Sequence, residues 1–146
     1  MDKMAERPFT SIIDRLKEVG LRPTRQRLAL AKLLFADGDR HVTAEALHGE
    51  VLEANIRVSL ATVYNTLHQF TKSGLLREVI VDSGRAYFDT NTSNHHHFFH
   101  EDSGHLSDFG PSEISLSGLP ELPEGCALSS VDVVVRVHKT DKSTAS

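Results

Sequence analysis

A chain of 146 residues holds one ordinary domain or two small ones. Hydrophobic residues at 39% and charged residues at 25% fit a globular protein, and no apolar run approaches the roughly 20 residues a membrane helix needs. The net charge of −4 is unevenly placed: residues 1–93 carry 13 Lys/Arg and 12 Asp/Glu, whereas residues 94–146 carry 3 and 8.

The N-terminus has no signal-peptide apolar region, so a cytoplasmic location is expected. Phe9, Ile12, Ile13, Leu16 and Val19 fall at helical spacing, and Gly20 ends the run. Pro23 then breaks the chain, and Thr24 is placed to cap a second helix reaching about Ala36 that buries Leu30, Leu33 and Leu34. No acid stands between Glu18 and Asp37, whereas Arg22, Arg25, Arg27 and Lys32 do, and the stretch from Glu53 to Glu78 is also acid-free. Such windows point to a polyanionic partner; chance clustering on a solvated face is the alternative. Asp37-Gly38-Asp39 is a turn, Thr43 a second cap, and Ala44, Leu47, His48, Val51 and Leu52 an apolar stripe, with Asn55 suited to a left-handed helix end.

Ser59 caps the next helix. Leu60, Val63, Leu67 and Phe70 make its buried stripe, and Thr62, Asn65, Thr66 and Gln69 make a second, polar and uncharged stripe. A solvated face ordinarily carries Lys and Glu; short amides and hydroxyls suit a major groove, where Asn and Gln pair with adenine and Thr meets a thymine methyl. Two helices joined by about four residues, the second with such a face, make a helix-turn-helix, although helix pairs are also common packing units. Residues 75–81 and 85–90 read as strands around the turn Asp82-Ser83-Gly84, completing a winged-helix plan in which Arg85 could touch a phosphate or serve only solubility.

Five of the nine histidines lie in residues 94–105, too internal for an expression tag. The stretch binds an iron-related ligand, or it is a solvated loop with adventitious nickel or zinc affinity. The prolines and glycines of residues 110–125 exclude a long helix. The single Cys126 excludes an internal disulfide and reads as a small buried residue beside a strand. Residues 131–137 are a valine-rich strand buried on both faces or at an interface, and 139–146 a disordered tail. A piece of about 50 residues with few strands buries little alone, so its core is expected to be completed in a dimer.

Gly20-Leu21-Arg22-Pro23-Thr24-Arg25-Gln26-Arg27, Ala61-Thr62-Val63-Tyr64, Tyr87-Phe88-Asp89 and His95-His96-His97 together resemble the ferric uptake regulator (Fur) superfamily over roughly residues 9–138. The residue 61–69 helix, the triple histidine followed by two phenylalanines and the short C-terminal half look most like its iron response regulator (Irr) branch. The resemblance implies an α+β protein: an N-terminal winged-helix DNA-binding domain (1–90), then a small α/β metal- or haem-binding dimerisation domain (91–138). It implies a homodimer on AT-rich inverted repeats in promoter DNA, with residues 59–73 as recognition helix and Tyr64 facing the groove. Where the commonest family pattern has arginine this chain has Asn65, so the operator does not transfer. The implied DNA contacts are Arg22, Arg25, Thr62, Tyr64, Asn65, Thr66, Gln69 and Arg85.

The resemblance also implies a regulatory site of His41, Asp89, His95, His97 and Asp108. Imidazole nitrogen with carboxylate oxygen suits Fe²⁺, Mn²⁺ or Zn²⁺. A ligand shared by these residues would fix the angle between the domains. A second metal or haem site would draw on His96, His138 and Glu113. His100, Ser103 and Lys139 stand where many members have cysteines, so no four-cysteine structural zinc is expected. A metalloenzyme is disfavoured by the absence of any His-Glu-x-x-His helix or evident general base. The rival is a metal or haem buffer or trafficking module without DNA-specific function.

Overall fold

The computed structural model describes residues 8–82 and 84–140, without the side chains of residues 8–10. Residues 141–146 of the expected tail, Ser83 of the hairpin turn and the side chain of Phe9 therefore lie outside the described residues. The chain divides into two compact units, residues 1–92 and 93–146, and the class is α+β.

The first unit runs α1 (Pro8–Glu18), α2 (Arg25–Phe35), β1 (His41–Val42), α3 (Ala44–Glu53), α4 (Leu60–Lys72), β2 (Arg77–Asp82) and β3 (Arg85–Asp89). The caps follow from the residues. Thr24, Thr43 and Ser59 accept from the backbone N–H of Arg27, Ala46 and Thr62, satisfying donors at the starts of α2, α3 and α4. α1 closes on Gly20 at φ 83°, with Leu21 N donating to Leu16 O at 2.8 Å. α3 closes the same way on Asn55 at φ 60°, with Ile56 N donating to Val51 O at 3.0 Å.

The core gathers Leu16, Leu30, Leu34, Leu47, Val51, Val63, Leu67, Phe70 and Phe88. Each such side chain contributes about 1.5–3 kcal/mol when removed from water. Three expectations change at the stripe margins. Leu33 and Leu60 are half-buried, and Leu52 is exposed, because it stands about 100° round α3 from Val51. Leu75 and Leu76 are buried ahead of β2 rather than within it.

The three-stranded sheet has the order β1-β3-β2. A two-residue β1 is too short to show alternation in sequence. It forms because β3 offers an antiparallel edge, pairing His41 with Asp89 and Val42 with Phe88. Arg40 locks this junction. Its backbone N donates to Thr90 Oγ1 at 2.8 Å, and its guanidinium bonds Glu50 and the Leu33 carbonyl. The hydrogen bond to Glu50, outweighing partial burial, holds the Arg40 guanidinium above its ordinary pKa.

The second unit holds β4 (His96–His100), β5 (His105–Phe109), a 3₁₀ turn (Pro111–Glu113) and β6 (Val134–Val137) in the order β5-β4-β6. β6 is parallel to β4 and shorter than expected, because β4 has partners for it only from His97 to His100. Its valines are half-buried, not enclosed on both faces. The turn after β4 is tied to the end of β6: Glu101 N donates to Val137 O at 2.9 Å, and Lys139 N donates to Asp102 Oδ2 at 2.6 Å. Cys126 is exposed in an irregular stretch, correcting the buried reading.

Candidate functional site

Cross-strand register builds both sets of candidate metal ligands. In the first unit His41 stands opposite Asp89, and His41 Nε2 lies 3.3 Å from Asp89 Oδ2. Asp89 is 1% exposed and also accepts from Asn91 N at 2.9 Å. A buried carboxylate needs such partners.

In the second unit β4 and β5 pair His97 with Asp108. Alternation along the chain puts His95 on the side of His97, their rings 4.6 Å apart, and turns His96 to the other side, against Phe109. His95 Nε2 and His97 Nε2 lie 3.7 and 3.3 Å from Asp108 Oδ1, and the ligand atoms of these three residues fall within 4.8 Å of one another. Four ligands about 2.1 Å from a tetrahedral ion stand about 3.4 Å apart, so the donor set fits a divalent cation. His95 Nδ1 is 2.6 Å from the Ser93 carbonyl. A carbonyl only accepts, so Nδ1 carries a proton, which leaves Nε2, on the Asp108 side, as the nitrogen that could ligate a metal. Sequence reasoning missed Ser93, since a backbone acceptor leaves no residue signature.

The other histidines go elsewhere. His96 Nδ1 accepts from Val133 N at 3.2 Å, Glu113 accepts from Gly110 N at 3.0 Å, and His138 is exposed. Among the described residues these three form no ligand group. His100 Nε2 lies 3.0 Å from Ser107 Oγ.

On α4 the uncharged stripe divides. Asn65 and Gln69 are exposed, while Thr66 is 5% exposed and lies in the core, correcting its placement on a groove-facing stripe. A 3.6-residue period puts Thr66 beside Val63 and Phe70 as readily as beside Asn65. Thr62 is half-buried, its hydroxyl accepting from Ser59 Oγ at 3.0 Å. Tyr64 donates to Glu45 at 3.0 Å, and that hydrogen bond chiefly raises the phenol's pKa. Tyr64 also lies nearly parallel to His68, whose edge meets Phe88. Arg22 and Arg25 are exposed, and Arg85 is held by Asp82 at 2.8 Å. No helix among the described residues is long and apolar enough to cross a membrane.

Helices followed by a hairpin wing, joined in one chain to paired His/Asp cation ligands, define a metal-responsive DNA-binding regulator. The model of the Ferric uptake regulator family matches residues 18–136. The chain is 35% identical over 100 residues to the ferric uptake regulation protein of Cupriavidus metallidurans, covering 68% of this chain and 70% of that one. It is 36% identical over 107 residues to the peroxide operon regulator of Bacillus subtilis, covering 73% and 72%. The structure of the ferric uptake regulator from Pseudomonas aeruginosa with manganese matches with a TM-score of 0.68 at 29% identity, over 88% of this chain and 97% of that one. The chain belongs to the ferric uptake regulator family. Members are metal-responsive transcription regulators that bind promoter DNA as dimers, and they are not enzymes.

Proposed function

We propose that this chain is a homodimeric regulator of iron-responsive genes whose operator affinity is set by one divalent cation bound to His41, Asp89, His95, His97 and Asp108. The observation that carries it is the buried pair His95 and His97 converging on Asp108 Oδ1. Residues 1–90 read DNA, with Asn65 favouring adenine in an AT-rich inverted repeat. Residues 91–138 supply His95, His97 and Asp108 to the cation and pair with a second copy. When bound, the cation adds positive charge that neutralises the two carboxylates. The chain supplies the orientation: Ser93 sets the His95 tautomer, and strand register sets His41 and His97 against their carboxylates.

Iron is the cation the iron response regulator resemblance favours, and the relative whose structure was solved with manganese supports a divalent cation. Haem fits less well. His95, His96 and His97 are 5%, 4% and 1% exposed, and an axial imidazole needs an open flank for the porphyrin. A cation buffer without DNA function would leave the acid-free, uncharged face of α4 without a role.

Gel-shift titration of the untagged full chain on inverted-repeat promoter duplexes, with and without Mn²⁺, tests the reading. The expected change in affinity is about 5- to 150-fold, absent in His97→Ala. Equal affinity under both conditions would overturn the sensor.

A further inference from the structure

We infer that Arg27 is a positioning residue for base recognition: it holds the side-chain oxygen of Gln69, so that Gln69 reads DNA through its amide NH₂ alone. This rests on α4 being the DNA-reading helix. Arg27 stands in the first turn of α2, 42 positions from Gln69. Its Nε and Nη2 donate to Gln69 Oε1 at 3.2 and 3.0 Å, and its Nη1 donates to the Arg22 carbonyl at 2.9 Å. Arginine has donors and no acceptor, so only the amide oxygen can face it. Both bonds are charge-assisted, and together they use both lone pairs of that oxygen.

A free glutamine reads adenine with both ends, accepting from N6 and donating to N7. Here the accepting end is committed. The outward NH₂ requires an acceptor on the base edge. Guanine presents two adjacent acceptors and thymine one; adenine offers N7 beside an opposing amine, and cytosine offers only an amine. Asn65, one helical turn earlier and exposed, keeps both ends of its amide. The two amides of α4 therefore read different bases: Asn65 adenine, Gln69 guanine or thymine. The remaining N–H groups of Arg27 stay available for a phosphate, but its role in specificity runs through Gln69.

Binding of the full chain to a randomised inverted-repeat library, followed by sequencing of bound duplexes, tests this at one salt concentration. Wild type is expected to prefer guanine or thymine over cytosine by about tenfold at one position of each half-site. Arg27→Met frees the oxygen and shifts that position toward adenine. Gln69→Glu keeps the Arg27 pairing but offers no donor, and shifts it toward cytosine. If Arg27→Met weakens all sequences equally and leaves every base preference in place, Arg27 is only a phosphate or structural contact and the inference falls. Should Arg27→Met not fold by circular dichroism, Gln69→Glu decides alone, with an unchanged preference overturning the inference. Loss of all sequence preference in wild type would instead overturn the DNA-reading role of α4.

Discussion

His97 is 1% exposed and its Nε2 stands 3.3 Å from Asp108 Oδ1, so it has little freedom to be anything but a ligand or a hydrogen-bonded core residue. The two differ in measurement. As a ligand, His97→Ala raises the Mn²⁺ dissociation constant more than about 10-fold in calorimetric titration, since even outer-shell partners are worth 10- to 100-fold. An unchanged constant would return His97 to the core. A second contrast lies on α4. Asn65→Ala should cost about 1–3 kcal/mol of base discrimination in competition gel shifts. Thr66→Ala, one residue on, should leave discrimination alone and appear instead as lowered stability in urea unfolding, because Thr66 is buried.

At the scale of elements, the helices of the first unit are bounded by local chemistry. Thr24, Thr43 and Ser59 each cap a helix through the N–H three residues on, and these positions were legible because a cap needs only a hydroxyl ahead of an apolar period. The α3 terminus depends on Asn55 at φ 60°. Asn tolerates that region and β-branched residues do not. Asn55→Val should therefore lower unfolding free energy by about 1–2 kcal/mol, read by urea titration, while Asn55→Gly stays near wild type. Strands were less legible. β1 exists only because β3 lies beside it, and β6 begins only at Val134, where its pairing with β4 starts at His97.

At the scale of the molecule, four exposed leucines lie within residues 116–128: Leu116, Leu119, Leu122 and Leu128, at 45–55% exposure. They belong to a unit with few buried side chains of its own, Phe99, Leu106 and Phe109 among them. Members of the family bind DNA as dimers, and the pairing with a second copy proposed above predicts that such a copy covers this stretch. Leu116→Ser/Leu119→Ser/Leu122→Ser should shift the full chain to monomer in analytical ultracentrifugation and leave the unfolding of the first unit in place. A dimer of undiminished stability would assign the interface elsewhere.

Sequence alone determined the helix boundaries, the family and the candidate ligand types, because caps, apolar periods and motif residues are properties of neighbours along the chain. Only tertiary structure decided which side chains meet. The pairing of His41 with Asp89 and of His97 with Asp108 is a matter of strand register. The burial of Thr66 and the capture of Gln69 by Arg27 depend on how α4 packs against the rest of its unit. Periodicity names a face of a helix but not the edge at which that face enters the core, and no local signal reports a contact between residues 42 positions apart.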